Sequence, residues 1–598
     1  MPSTAADPTK DNAMTEAPTA PADTRVDALL ERMTIEEKIG SLLVARIVTG
    51  ADGALWEGTD GESPFGFSPT TELVRERHVT HATLMNPAPV SELARWGQSI
   101  RELAASTRLG IPVSVASDPV HGRSRNRDVA MSGSGFTALP EPIALAATHD
   151  PALVRESARM IGEELRAAGI HIALHPMADL ATEPRWARVS GTFGEDPALA
   201  AELVAEYVRG LAESGVAATV KHFPGGGPQR GGEDAHFERG AHTVYPGGRF
   251  EDHLLPFAAA IDAGVVRVMP GYAAPLGLEY DEVGFAFERR LITGVLRERL
   301  GFDGVVVTDF NIVHGMRLPR LGVELPVRAW GMLHADPAER VARLLDAGVD
   351  QFGGEDDPAP MLEALDRGLV TERRIDESVR RVLREKERLG LFDDPAARAA
   401  APGEVPQRIA VAESLAIGER VQRASVVALQ GAPLAVRPET RVYVEGMAAG
   451  VFDGRATVVD DVALADVAIL RLAAPYEERE GMLEQGFHSG SLEFPAAEIA
   501  RISAIAARVP TAIDVFLDRP AVLTPLADLG VTLTGTFGVD DGILLDALTG
   551  RAATTGRLPF DLPRSMAAVE ASREDVPFDT ADPLWRFGAG LGWSPRIS

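Results

Sequence analysis

The segment GVVVTDF, Gly304 to Phe310, runs four β-branched residues directly into an aspartate. Branching at Cβ favours extended backbone, and an unbroken apolar run of this length is what a strand covered on both faces presents. Asp309 is thereby delivered to the C-terminal end of a buried strand. The pattern recurs outward in both directions: HVTHATLM from His78, IPVSVAS from Ile111, HIALHPMA from His171, VAATVKHF from Val216, VVRVMPGY from Val265 and GVDQFGG from Gly348. Between these seven runs lie longer segments with apolar residues at helical spacing, so the chain from Arg25 to about Pro395 reads as β/α units around a parallel sheet. No eighth strand stands out.

Polar residues gather where these runs end. Asp118 follows the second, Asp179 the third, Lys221 and His222 close the fourth, Tyr272 the fifth and Asp309 the sixth. Any one of them also reads as a helix cap or a satisfied buried polar group. Five strand ends together point to a (β/α)8 TIM barrel rather than an open sheet, because a barrel assembles its site from the C-terminal ends of several strands.

At 598 residues the chain exceeds what one core usually holds, about 250–300 residues, so a second domain is expected. The helix IDESVRRVLREKERLGLFDDP aligns Ile375, Val379, Val382 and Leu383 on one stripe and stops at Gly390 and Pro395. The expected division is a disordered tail over 1–24, a barrel over 25–396, a linker over 397–408 and a smaller α/β sandwich domain over 409–598. Its strands are read in RVYVEGM from Arg441, DVAILRLAA from Asp466, AIDVFL from Ala512 and GVTLTGTF from Gly530, mostly parallel.

Composition narrows the function. A formal charge of −28, from 59 Lys+Arg against 87 Asp+Glu, repels polyanions and argues against nucleic acid as a partner. No apolar run of about 18 residues suggests a membrane span. The N-terminal residues contain no apolar block of the secretory kind, and there is no cysteine, which together suggest a cytoplasmic protein. No cluster of His and carboxylates has metal-ligand spacing, so neither metal nor cofactor is expected. GGGPQRGG from Gly225 lacks the lysine-serine pair of a phosphate-binding loop.

Several motifs, in order, resemble glycoside hydrolase family 3. RLGIPVSVASD (Arg108–Asp118), PRWARVSGTFGEDP (Pro184–Pro197), VKHFPGG (Val220–Gly226) and LGFDGVVVTDF (Leu300–Phe310) look like its barrel motifs, while GRLPFDLP (Gly556–Pro563) and RFGAGLGW (Arg586–Trp593) look like the end of its second domain. The resemblance implies a barrel followed by an α/β sandwich, a terminal sugar held between them, and no third, fibronectin-like domain. It implies a retaining exo-β-glycosidase that takes a small oligosaccharide or glycoside; terminal β-D-glucosides are the first choice of substrate and β-xylosides follow. A homodimer is compatible with the sequence.

The family's positions carry over residue by residue. Asp309 matches the nucleophile, Asp118, Arg185, Lys221 and His222 match groups that hold the sugar hydroxyls, and Tyr272 matches a further pocket residue that reads equally as packing. For the acid/base, two-domain relatives use a glutamate of the sandwich, and APYEERE (Ala474–Glu480) offers Glu477 and Glu478 without deciding between them. The same charge-rich stretch also reads as a solvated loop. KHFPGGGPQRGGEDAH (Lys221–His236) is similar to the loop of the family's N-acetylglucosaminidase branch, whose acid/base is an Asp-His pair; Asp234 and His236 are the matching residues. Against that branch, Gly226 replaces a histidine and the loop is about two residues longer. Phe310 stands where many relatives carry tryptophan, and Ala187 and Gly191 replace glycine and glutamate, leaving the aglycone side open. A non-catalytic sugar receptor with the same pocket is the rival outside the enzymes.

Overall fold

The computed structural model describes residues 22–58, 66–85, 88–122, 135–318, 322–393, 404–481 and 483–595. Its first sheet has eight parallel strands: Leu43–Ile47 (β1), His81–Leu84 (β2), Ser114–Ser117 (β3), Ile172–Ala173 (β4), Ala217–Phe223 (β5), Arg267–Pro270 (β6), Val305–Val306 (β7) and Phe352–Gly353 (β8). They lie in the order β8-β1-β2-β3-β4-β5-β6-β7, and a parallel bridge from Val307 to Gln351 joins the two ends. The sheet therefore closes on itself as a barrel. Seven of the strands fall in the seven runs read from the sequence. The eighth, β1, continues the helix Ile35–Leu42 without a loop, so no turn residue marks the change of period inside IGSLLVARI.

Asp-Pro pairs start three of the outer helices. Asp150, Asp196 and Asp336 each accept the backbone N–H three residues on, while the proline that follows occupies the first turn, where its missing N–H costs nothing. The last helix of the barrel, Glu372–Arg388, buries Ile375, Val379, Val382 and Leu383 completely. Gly390 then takes φ +64°, and Leu389 and Leu391 enter the barrel interior together with Val44, Ala116, Ile172, Ala217, Met269 and Val307.

Period-two alternation now places the chemistry. Val307 points inward, so Asp309 does too, one step above it; Ala116 leads in the same way to Asp118 and Ala217 to Lys221. The apolar interior stops and the polar mouth begins.

Of the expected 1–24 tail, residues 1–21 lie outside the described residues, and a helix begins at Ala22 with Val26 buried. Of the expected linker, 397–403 lie outside them, and Val405–Gln407 forms a single tight turn with Val405 buried. The second sheet contains Val427–Gln430 (β9), Arg441–Glu445 (β10), Thr457–Val459 (β11), Val467–Ala473 (β12), Thr511–Phe516 (β13) and Thr532–Thr536 (β14), ordered β9-β14-β13-β12-β10-β11 with only β9 antiparallel. Ala468, Leu470, Ile513 and Val515 face a core shared with Ile143, Met177, Trp186 and Val189 of the barrel, whereas Ile469 and Ala512 face an outer core. The two domains thus share an apolar interface.

At the opposite end of the barrel from Asp309, Arg267 sits fully buried. It donates to Glu385 Oε2 at 2.5 Å and to Gln351 Oε1 at 2.9 Å, and His81 Nε2 lies 3.2 Å from Glu385 Oε1. Burial would raise the Glu385 carboxyl, but Arg267 and His81 outweigh it and hold it at about 2. Removing one partner of such a pair leaves an uncompensated buried charge. Arg267→Met is expected to destabilise the fold by about 3–5 kcal/mol in denaturant titration at neutral pH while kcat/KM of the surviving protein stays within about threefold of wild type. The depressed carboxyl also sets a direction: its contribution is present above the ordinary glutamate range and is lost as pH falls toward 2.

Candidate active site

Two cavities lie at the C-terminal mouth of the barrel, both lined by barrel residues. Asp309 follows β7, and its side chain keeps 12% exposure. Its Oδ1 accepts the Phe310 N–H at 2.8 Å and lies 2.8 Å from the Tyr272 hydroxyl. Tyr272 is in turn 2.7 Å from the Phe310 carbonyl and receives Arg328 Nη1 at 3.3 Å, with that guanidinium 5.4 Å from its ring centre. Tyr272 is therefore a polar contact of Asp309 as well as packing. Among the described residues Oδ2 has no hydrogen-bond partner; it lies 3.8 Å from Nε2 of His222, which lines the smaller cavity. Burial alone would raise the Asp309 carboxyl, but His222, His236, Lys221 and Arg188 together hold it below the usual aspartate range.

Each of these cationic or imidazole groups is itself held. Lys221 Nζ donates to Asp118 Oδ1 at 3.0 Å. His222 Nδ1 lies 2.9 Å from Asp179 Oδ2, and Asp179 also accepts the backbone N–H of His222 and, in a very short contact, that of Gly226. On the other side of the ring, His222 Nε2 lies 3.2 Å from Arg188 Nη1. The arrangement is satisfied by a neutral imidazole that donates from Nδ1 to Asp179 and accepts at Nε2 from Arg188. Burial and Arg188 push His222 down against the pull of Asp179 and Asp309, consistent with that tautomer.

Arg185, expected to hold sugar hydroxyls, is engaged by Glu183. Its guanidinium closes a two-point pair with Glu183, at 2.7 Å on each oxygen, and Arg188, three residues on, is the cation that reaches His222. Arg188 also lines a cavity with Asp118 and Lys221 and a smaller one with His222, His236 and Tyr272. The signal was present in PRWAR, which carries both arginines. Arg328 lies outside every quoted motif.

Asp234 and His236 form a close pair. Nδ1 of the imidazole is 2.6 Å from Asp234 Oδ1, and Trp186 Nε1 donates to Asp234 Oδ2 at 2.9 Å. The His236 ring packs edge-on to Tyr272, with centres 4.9 Å apart, so the pair stands one residue away from Asp309. Burial pushes His236 down and Asp234 pulls it up, the net shift being downward. Gly226 fits its place closely: a Cβ there would meet Asp179 Oδ1 at 3.0 Å, so a larger residue has no room unless Asp179 moves.

Glu477 and Glu478 belong to a hairpin, described over residues 474–481 and 483–490, that leaves the sandwich after β12 and lies on the barrel loop carrying the Asp-His pair. Arg479 bonds Glu233 at 2.8 Å, Arg239 bonds Glu484 at 3.1 Å, and Phe487 packs 5.0 Å from the His236 ring. Both glutamates are exposed. Glu477 Oε1 accepts the Ser491 N–H at 3.2 Å and its other oxygen is 3.9 Å from Arg479; among the described residues nothing engages the Glu478 carboxylate. Among the described residues, too, no group of three His, Asp or Glu is placed to hold a metal ion, and no helix is long and apolar enough to cross a membrane.

The profile described as "Glycosyl hydrolase family 3 N terminal domain" matches residues 34–385. The chain belongs to glycoside hydrolase family 3. It is similar to the probable beta-glucosidase C of Aspergillus oryzae, 43% identical over 584 residues and covering 96% of this chain and 90% of the relative. It is also similar to the periplasmic beta-glucosidase/beta-xylosidase of Dickeya chrysanthemi, 36% identical over 605 residues with 96% and 90% covered. Among solved structures, the beta-glucosidase of Listeria innocua in complex with isofagomine aligns with a TM-score of 0.74 at 22% identity, over 95% of this chain and 83% of that one, a likeness in fold. This family 3 protein is a β-glycoside hydrolase.

Because Lys221 is one of the groups that keep Asp309 ionised, Lys221→Met is expected to raise the Asp309 pKa and move the acidic limb of the kcat/KM–pH profile upward. An acidic limb at its wild-type position would overturn this electrostatic account.

Proposed function

We propose that the protein is a retaining exo-β-glycosidase that releases terminal β-D-glucosyl residues through a glycosyl-enzyme on Asp309. The observation that carries the reading is the state of that carboxylate. It is immobilised through Oδ1 by the Phe310 N–H and Tyr272, kept ionised by its neighbours, and, among the described residues, without a hydrogen bond at Oδ2. Such a group attacks an anomeric carbon without first losing a proton. Glucoside as first substrate is supported by the names of the Aspergillus oryzae and Dickeya chrysanthemi relatives, and the second of these keeps β-xyloside as the alternative.

In the first step Oδ2 forms a bond to C1 as the glycosidic C–O bond breaks, and an acid gives its proton to the departing oxygen. In the second, the same group, now a base, takes a proton from water, whose oxygen displaces Asp309 and restores the β configuration. We assign that acid/base to Glu478. Among the described residues its carboxylate is unengaged, on a hairpin fixed to the barrel through Arg479 and, at Phe487, against His236, whereas that of Glu477 is tied to Ser491. A second reading, the Asp234–His236 pair, is supported by the contact of His236 with Tyr272. Against it, burial holds the His236 imidazole below its ordinary pKa despite the pull of Asp234, which disfavours the protonated ring as the acid.

Asp309→Ala is expected to lower kcat by about 10⁴-fold or more with the protein still folded. Activity near wild type would reject the nucleophile. On aryl β-glucosides, Glu478→Gln should cost about 100-fold or more with a poor leaving group and little with 2,4-dinitrophenolate, while Glu477→Gln leaves both largely intact. The same selective loss in His236→Ala, with Glu478→Gln silent, would transfer the role to the pair. A panel of 4-nitrophenyl β-glucoside, β-xyloside and β-N-acetylglucosaminide tests the sugar, and binding without turnover on all three would favour a receptor.

A further inference from the structure

The hairpin that carries Glu478 springs from the sandwich, yet it must be set to a fraction of an ångström against a nucleophile that belongs to the barrel. Arg519, in the turn after β13, is positioned to do this. Its side chain is fully buried, an unusual place for a guanidinium, and among the described residues its hydrogen bonds all go to backbone carbonyls. Nη2 donates to Pro475 O at 2.5 Å, where the hairpin departs, and Nη1 donates to Gly490 O at 3.1 Å, where it returns. Nη1 also donates to Arg185 O at 3.0 Å, in the barrel turn that bears Arg188. One planar group thus joins both ends of the hairpin to the barrel.

Its surroundings bear on the same hairpin. Asp518, the preceding residue, lies 2.5 Å from His488 Nδ1, and the His488 ring stacks on Tyr476 at 3.8 Å with 6° between the planes, bracing the two arms across the Glu477–Ser489 bridge. Burial lowers the Arg519 pKa to about 10, against the pull of Asp518, Glu477 and Glu183, so the group remains charged at neutral pH. None of its bonds goes to a carboxylate. A lysine reaches fewer acceptors with less direction, since only the guanidinium holds its donors in a fixed fork.

We infer that Arg519 is a positioning residue that sets the height of the 474–490 hairpin over the barrel, and so the alignment of the proton donor it carries with the aglycone oxygen above Asp309. This rests on the reading of the hairpin as the source of the acid. The consequence is selective. A displaced acid slows cleavage only where the leaving group needs a proton, and a misplacement of about 1 Å costs on the order of 100-fold.

The test compares Arg519→Lys and Arg519→Gln in the full-length protein on aryl β-glucosides spanning a range of leaving-group pKa. The expected result is a fall of roughly 100-fold in kcat/KM for the poorest leaving group in Arg519→Gln, less than about threefold for 2,4-dinitrophenyl glucoside, and a smaller loss of the same pattern in Arg519→Lys. Combining Arg519→Gln with Glu478→Gln should add little to the loss caused by Glu478→Gln alone. Equal losses across all leaving groups, or none, would overturn the inference, and Arg519→Lys, which retains the charge, decides the matter if Arg519→Gln does not fold. The two readings fail separately. If Glu478→Gln is silent but the Arg519 variants keep their leaving-group dependence, the assignment of Glu478 falls and the positioning role stands; the converse retains Glu478 and removes Arg519.

Discussion

The constraint on which the site depends is the burial of one ionised carboxylate at the mouth of the barrel. Asp309 is carried there by the strand that makes the wall, so it cannot retreat to water. Taking a carboxylate out of water costs several kcal/mol even after the protein relaxes, whereas a unit charge about 4 Å away returns roughly 4 kcal/mol at the effective dielectric of a protein. One cation does not offset burial with a margin. The structure supplies two permanent cations, Lys221 and Arg188, and it spends further carboxylates, Asp118 on Lys221 and Asp179 on His222, to keep the neighbours of Asp309 in place. Those carboxylates in turn cap the positive charge that the cations would otherwise crowd together. The site is a balanced cluster in which Oδ1 of Asp309 is engaged and Oδ2 is the oxygen that the proposed mechanism uses.

Much of this was legible because a barrel strand reports itself twice, once as an apolar run and again as a polar residue two or four positions past the last inward side chain. Asp118, Lys221 and Asp309 follow that rule from Ala116, Ala217 and Val307. Where the rule had no purchase, the reading stopped. β1 was hidden because a helix runs into it without a turn, and β9 and β11 are short edge strands with little periodicity to show. Arg185 and Arg188 are three apart in a segment that is neither helix nor strand, and no period says which one faces the pocket; only the pairing of Arg185 with Glu183 separates them. Arg328 reaches Tyr272 from a segment bearing no motif. Glu477 and Glu478 are adjacent, so no spacing argument distinguishes them; what differs in the structure is the contact of Glu477 with the Ser491 N–H.

Burial also explains why the Asp234–His236 pair looks like machinery whether or not it transfers a proton. An imidazole buried against Tyr272 must satisfy Nδ1, and Asp234 does so at 2.6 Å while Trp186 satisfies the other oxygen of that carboxylate. The result is a rigid wall behind Tyr272, which fixes Oδ1 of Asp309. A support of this kind and a proton shuttle need the same bonds. What separates them is which nitrogen is protonated at the start of the reaction, a property that burial and the neighbouring cations push toward the neutral ring.

The second domain follows from the same geometry. A barrel mouth offers its groups from below, and in the proposed mechanism the proton reaches the glycosidic oxygen from the side away from Asp309, where the barrel strands have ended. A group for that position has to come from a loop, and a free loop would hold it poorly. Here the loop is a hairpin whose arms are bridged at Glu477 and Ser489, whose far side is pinned to the barrel by the Arg479–Glu233 and Arg239–Glu484 pairs and by Phe487, and whose base is gathered by Arg519. The surface pairs are partly exposed, and each is worth little alone. The buried carbonyl contacts of Arg519 and the apolar interface along Trp186, Val189 and Leu470 carry the rigidity, so the precision of the site rests on the packing between domains more than on either domain by itself.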